Sequence, residues 1–414
     1  MSPRSDLQIA QPITLQCGLT LPNRLVKAAM AEQLASTHQL PDERLIAVYK
    51  RWSAGGWGLI ITGHVHVDDK HLGATKDSAI PPSLPQATVL PPWSALARAS
   101  QGLQLNHPGR QSPRGAGARS LLSPSLAPSA VPLTLGPGFL AKLLRFLIFG
   151  TPRAMNHAEI QTVISQFARA ARVCAEAGFD GVQIHAAHGY LLSQFLSGRT
   201  NRRTDRYGGD ARGRARIVVE IVRAVREETR RFEGFCVGIK LNSADHQSEG
   251  EEMADCVEQL RAVVEAGVDF VEVSGGTFED PKMIAGNEGL AYLEDMSDRT
   301  RAREAFFLEF ARVIRKEFPN VPLMVTGGFT SRGGMEKAVT DGDCDLIGLG
   351  RPAVLNPSLP GSLVFNPEVK DQDASVYRKK NRAPWIIKML GIAAVGAGID
   401  SIWYTKQIHK MAKV

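Results

Sequence analysis

Short apolar runs alternate along the chain with longer segments of helical period. The strand candidates are residues 24–30, 57–65, 103–107, 181–187, 237–243, 270–276, 322–328 and 346–352. Residues 42–55, 158–178, 212–230, 251–267 and 301–318 instead repeat their apolar positions every three or four residues, and several of these segments stop at glycine. Strands and helices in this alternation predict an α/β fold, a single (β/α)8 TIM barrel. A doubly wound sheet is the competitor, but no GxGxxG follows the first strand.

Alternation within the strands sorts their side chains onto two faces. Gln104 and Asn106 oppose Leu103 and Leu105; Gln183 and His185 oppose Val182 and Ile184; Lys240 and Asn242 oppose Ile239 and Leu241. The apolar sets suit the surrounding helices, so the polar sets point into the barrel, where each needs a partner. One another, ordered water, or a flat polar ligand over the strand ends would serve. Strands seven and eight end in "MVTGGF" and "GLGRP". Gly327, Gly328 and Gly350 expose backbone N–H groups where barrels often hold phosphate, and Arg351 offers a charge-assisted fork. Tight turns alone would explain the glycines; the nearby arginine favours a phosphorylated ligand.

Composition narrows the class. Hydrophobic residues at 43% and charged residues at 22% of 414 describe a globular chain. Much of the formal charge of +7 lies near the C-terminus, in "YRKKNR" and the lysines beyond it, and no basic stripe interleaves with aromatics, so nucleic acid is not an expected partner. Cys17, Cys174, Cys236, Cys256 and Cys344 form no CxxC pair, which speaks against a disulfide framework, zinc or an iron–sulfur cluster. The N-terminus has no continuous apolar stretch and predicts no secretory signal. A reducing, cytoplasmic setting fits.

The richest stretch is "GVQIHAAHGYLLSQFL", with His185, His188 and Tyr190 at the end of an apolar strand. A metal site would need further ligands, for which Asp180 and His107 are conceivable. Space-filling side chains and hydrogen-bond donors in a reaction are the other readings, and the spacing leaves all three open.

This stretch, followed by "RTNRRTDRYGG", resembles the active-site signature of the Old Yellow Enzyme family of FMN-dependent oxidoreductases. "LPNRLVKAAM", "GLIITG", "QLNHPGRQ", "GIKLNSAD", "EVSGGT", "VTGGF" and "LIGLGRP" follow the family order from about residue 10 to 360. The resemblance implies FMN and NAD(P)H as cofactors, no metal, and a small-molecule enone, quinone or related acceptor. It implies that His185 and His188 donate to the acceptor's carbonyl oxygen while Tyr190 protonates the α-carbon. Gln104 would meet the pyrimidine edge of the flavin and Lys240 its N1 and C2 carbonyl; backbone at Ala29 and Met30 would line the ring. Gly327, Gly328, Gly350 and Arg351 would hold the phosphate.

The chain departs from the family at Ala31, often Thr or Cys there, at Gln33, and before strand three. The second βα unit is short: residues 93–100 make a helix of about 12 Å before "QGLQLNH" begins. A misplaced Gln104 and weakened flavin binding are the expected consequence. An inactive or weakly flavin-binding homologue and a non-redox phosphate-binding barrel enzyme are therefore the alternatives.

The barrel is expected over 1–365, with the apolar insertion 138–155 a lid over the mouth. A membrane-touching amphipathic helix is the less favoured reading of that insertion. Residues 366–414 read as a basic C-terminal extension, packed on the barrel or membrane-proximal. Its apolar stretch 384–404 approaches spanning length but is interrupted by Lys388 and Asp400.

Overall fold

The computed structural model describes residues 4–136, 138–242, 251–274, 308, 310–377, 379 and 393–413, with the backbone alone for 251–252 and 393–399. Eight parallel strands close into a barrel: β1 (Leu25–Lys27), β2 (Leu59–His66), β3 (Gly102–Asn106), β4 (Gly181–Ala186), β5 (Cys236–Asn242), β6 (Phe270–Ser274), β7 (Leu323–Thr326) and β8 (Leu346–Leu349). Each pairs with its neighbours in chain order, and β8 closes on β1. The expected TIM barrel is the observed fold.

Local signals account for the helices. Asp42 caps α1 (Glu43–Ser53) through the Arg44 and Leu45 N–H groups. Asn156 and Glu159 form a reciprocal capping box at the start of α4 (His157–Ala177), which Gly178 ends at φ 92°. Helices α5 (Leu191–Leu196) and α8 (Arg332–Thr340) follow β4 and β7, and α6 (Ala211–Thr229) and α7 (Glu251–Glu265) lie where the periodicity put them; of the expected helix at 301–318, residues 301–307 and 309 fall outside the described ones.

The expectation for α2 needs correction. Instead of beginning at residue 93, it runs Gln86–Ala97 with Pro91 and Pro92 inside it. Val89, Trp93 and Leu96 recur at helical spacing and are all buried, so packing overrides the two prolines, which lie off that face. Strand β3 follows within five residues, pairs in register with β4, and pairs with β2 through one irregularity between Ile61 and His64. The short unit leaves Gln104 inside the barrel.

The main core lies between the outer strand faces and the helices. A second apolar cluster, including Val26, Leu59, Ile61, Phe270 and Met324, plugs the barrel's N-terminal end. There the hairpin of Ile13–Thr14 with Thr20–Leu21 adds Leu15 and Leu21. Lys27 breaks the pattern. It points outward into the core, where its Nζ lies 4.2 Å from the Trp52 ring centre and donates to Ile61 O at 3.0 Å. Burial lowers its pKa to about 8, against the opposing pull of Glu32.

Two additions flank the mouth. After β3 the chain makes an insertion carrying α3 (Phe139–Ile148) and a two-strand pairing of Leu126–Ala127 with Arg153–Ala154. Helix α3 turns Phe139, Leu143, Phe146 and Leu147 outward. The tail helix α10 (Ala393–Met411) packs against α1 and α9 (Arg351–Leu355), burying Tyr404 and Ile408. No helix of the described residues is long and apolar enough to cross a membrane.

Candidate active site

At the C-terminal end of β4 the chain turns sharply through His188, whose φ of 58° is left-handed and rare for a residue with a side chain. The His188 N–H donates to Asn242 Oδ1 at 2.8 Å, and its ring Nε2 lies 3.0 Å from Ser274 Oγ. Strands β5 and β6 thus hold both ends of this residue. Gln194 and Gln111 tie the turn to the "HPGRQ" motif: Gln194 Nε2 donates to Gly189 O at 2.7 Å and Gln111 Nε2 to His188 O at 2.8 Å.

His185 accepts from the Ala187 N–H at its Nδ1, at 3.2 Å. A neutral imidazole with Nδ1 accepting carries its proton on Nε2, so His185 is a fixed donor there. Its ring centre lies 5.0 Å from that of His188 and 5.0 Å from that of Tyr190, both edge to face. Burial pushes the His185 pKa well down, helped by His188 and Lys240; it lowers His188 to about 3, helped by Lys240 and His64. Both rings are neutral donors at ordinary pH. Burial raises the Tyr190 phenol, which therefore keeps its proton.

Beneath these residues the inward polar groups satisfy one another. Gln104 Nε2 donates to Gln183 Oε1 at 2.6 Å, Gln183 Nε2 to Glu272 Oε2 at 2.6 Å, and Lys240 Nζ sits 2.7 Å from Glu272 Oε1. That last contact is close but off the hydrogen-bonding direction, so it is an ion pair rather than an aligned hydrogen bond. Glu272 is fully buried and went unnoticed in the sequence, although "FVEVS" shows it alternating with valines. Lys240 is thus neutralised by a carboxylate.

A second missed group adjoins the site. The His64 ring stands 5.5 Å from that of Tyr190, and both His64 Nε2 and His66 Nε2 contact Asp77 Oδ2, at 3.2 and 3.0 Å. Burial opposes the charged form of His64, but Asp77 outweighs it and raises the pKa; His64 in turn holds the buried Asp77 carboxyl well below its usual range. Among the described residues, three groups could together offer ligands to a metal: His64, His66 and Asp77; Asp68, His71 and His107; and Cys17, Cys236 and Asp269. His185 and His188 stand in none of them.

The opposite side of the mouth carries the remaining expected residues. Gly327 and Gly328 have φ of 111° and 91°, conformations open chiefly to glycine. A Cβ on Gly350 would lie 3.1 Å from Met30 Sδ, so the ends of β8 and β1 meet there. Ala29 borders the inner apolar plug. Arg351 opens α9 and approaches Asp400 of the tail helix, Nη1 to Oδ2 at 3.6 Å. The same helix holds the loop after β1. Thr405 Oγ1 donates to Ala31 O at 3.3 Å, and His409 Nε2 lies 2.8 Å from Glu32 O.

A closed barrel with neutral imidazoles, a protonated tyrosine and glycine turns around one mouth describes an enzyme built to act on bound organic groups. The chain belongs to the NADH:flavin oxidoreductase / NADH oxidase family, which matches residues 8–365. It is 46% identical over 404 residues to the NADH-dependent flavin oxidoreductase iliE of Hypocrea jecorina (strain QM6a), covering 96% of this chain and 99% of that one. The protein of the same name from Neonectria sp. (strain DH2) is 50% identical over 423 residues, but there the match spans 99% of this chain and only 55% of the relative. Morphinone reductase in complex with tetrahydroNAD superposes with a TM-score of 0.65 at 25% identity, over 85% of this chain and 89% of that one. The protein is accordingly an FMN-dependent NAD(P)H oxidoreductase, which sets aside the non-redox barrel.

The residues present fit FMN. Both side-chain atoms of Asn106, at the end of β3, and Thr326 Oγ1, at the end of β7, are buried without a partner among the described residues. Such groups suit a ligand with donors and acceptors, and the positive φ at Gly327 and Gly328 makes the kind of turn whose backbone N–H groups hold phosphate.

Proposed function

We propose that the protein reduces an α,β-unsaturated carbonyl compound, or a similarly electron-poor acceptor, at the mouth formed by His185, His188 and Tyr190. The observation that carries this reading is the Ala187 N–H on His185 Nδ1, which fixes a neutral donor at Nε2. FMN, when bound, supplies the hydride that it has taken from NAD(P)H. His185 Nε2–H and the His188 ring donate to the acceptor oxygen, which makes the β-carbon electrophilic and stabilises the enolate charge. Ser274 Oγ on His188 Nε2 holds that ring in position. Tyr190 delivers its retained proton to the α-carbon.

Gln104, Ala29, Met30 and Lys240 would hold the ring of FMN, with Gly327, Gly328, Gly350 and Arg351 at its phosphate. Lys240 does so as half of an ion pair, so its field at the flavin is weaker than that of a lone cation. The NADH dependence in the names of both fungal relatives supports NADH as donor. A reducing compartment is consistent with five free cysteines. The test is a spectrum of the purified protein under argon, with NADH or NADPH and then cyclohexenone. Flavin bands that bleach with the nucleotide and return with the enone are expected; bleaching without reoxidation by any enone overturns the acceptor assignment.

A further inference from the structure

Helix α3 is amphipathic in an unusual sense: its apolar face is the one turned to solvent. Phe139 is 81% exposed, Phe146 49% and Leu147 55%, and nearby Leu122 is 87% exposed. The inner face packs on a small cluster of Leu133, Leu135, Ala141 and Phe149. Contiguous exposed apolar side chains on this scale mark a contact surface.

Charge identifies the occupant. Residues 78–158 contain neither Asp nor Glu yet carry seven Lys or Arg, of which Arg153 pairs with Glu159. Lys142 lies among the exposed leucines of α3, and the Arg114 guanidinium stands 5.3 Å from the Phe146 ring centre. A second copy of the chain would set Lys142 and Arg114 against their own counterparts, which disfavours self-association. An anionic lipid surface meets both demands, taking up the apolar stripe at the headgroup boundary and attracting the cations beside it.

We propose that α3 and the neighbouring Leu121–Leu122 turn dock the protein on anionic membrane surfaces, with the helix lying in the interface plane. At ten residues it is about 15 Å long, suited to lying on a bilayer rather than crossing it. Arg110, in the motif after β3, donates to Val131 O and Pro132 O at 3.2 and 2.9 Å and so ties the insertion to the mouth side of the barrel. Docking therefore brings the rim of the mouth to the lipid.

The experiment is co-sedimentation of the FMN-loaded full chain with phosphatidylcholine vesicles, with and without phosphatidylserine, at low and high salt. Binding is expected only with phosphatidylserine, weakened by salt, and reduced about tenfold or more in L143E/F146E. Both side chains are exposed, so this variant keeps its flavin spectrum and NADH oxidation. Anionic-vesicle binding that survives L143E/F146E overturns the proposal, as does binding to neither vesicle. A concentration-dependent dimer in analytical ultracentrifugation that the variant abolishes assigns the face to a second copy instead. An acidic protein that binds this face while vesicles do not likewise overturns the membrane assignment.

Discussion

The buried pair of Lys240 and Glu272 is the interaction whose removal the structure predicts most sharply. Lys240 is 3% exposed and Glu272 not at all. Neither charge can recruit water cheaply when its partner is lost. In Glu272→Gln the amide still accepts from Gln183, but Lys240 faces an amide where a carboxylate stood. Breaking a buried pair from one side costs about 3–5 kcal/mol, because an uncompensated charge remains. Lys240→Met should cost a similar amount for the mirror reason. The double variant leaves no charge behind, so its stability should lie within about 1 kcal/mol of the original, against about 6–10 kcal/mol if the two losses simply added. Urea unfolding of all four proteins at one FMN concentration measures this cycle, once the FMN affinity of each variant is measured and its mass-action contribution subtracted. A double variant as unstable as the sum of the singles would refute the claim that these groups neutralise each other.

Other expectations follow from the same geometry. Because His188 is lowered to about 3 and His185 well below its usual value, kcat/KM with an enone should show no step from either ring between about pH 5 and 8. The raised pKa of His64 makes that ring the source of a step above about pH 6.5, which His64→Gln should remove. The raised pKa of His64 also makes its pairing with Asp77 a stability contribution fully present below the unfolded value of about 6.5. That contribution is lost as pH rises through the folded value, which thermal melts across this range would reveal. Tyr190→Phe should leave reduction by NADH unchanged while slowing enone turnover by about a hundredfold; stopped-flow separation of the half-reactions checks it, and an equal loss in both would count against proton delivery by the phenol. Tyr404→Ala empties a fully buried site that also bonds the backbone of residue 379, so a loss of about 3–5 kcal/mol is expected in denaturant unfolding.

The barrel was legible because its strands obey simple rules. Val and Ile runs mark buried parallel strands, and Asp42, Asn156 and Gly178 mark helix ends through identifiable hydrogen bonds and backbone angles. The inward glutamines and Lys240 were readable from alternation alone, and alternation applied to "FVEVS" would have delivered Glu272 with them. What alternation could not deliver was the choice between partners, since the same inward groups serve one another or a ligand equally well until a fourth member is placed. The tail's grip on Ala31 and Glu32 through Thr405 and His409 joins residues more than 370 positions apart, and no local pattern encodes it.

His64 was hidden for a more instructive reason. Ile61 belongs to the apolar plug inside the barrel, so a period of two would turn residue 64 toward the helices. The pairing of β2 with β3 shifts register between Ile61 and His64, however, so that Ile61 pairs with Gly102 and His64 with Gln104. Three residues of β2 thereby span the distance covered by two of β3, and the strand changes phase. Beyond the irregularity Val65 faces the outer core, while His64 and His66 share the side of Gln104 and Asn106. The irregularity is thus what carries the Asp77-linked imidazole to Tyr190. Deleting one residue there would restore the simple alternation, reverse every side chain to one side of the deletion and withdraw His64 from the mouth.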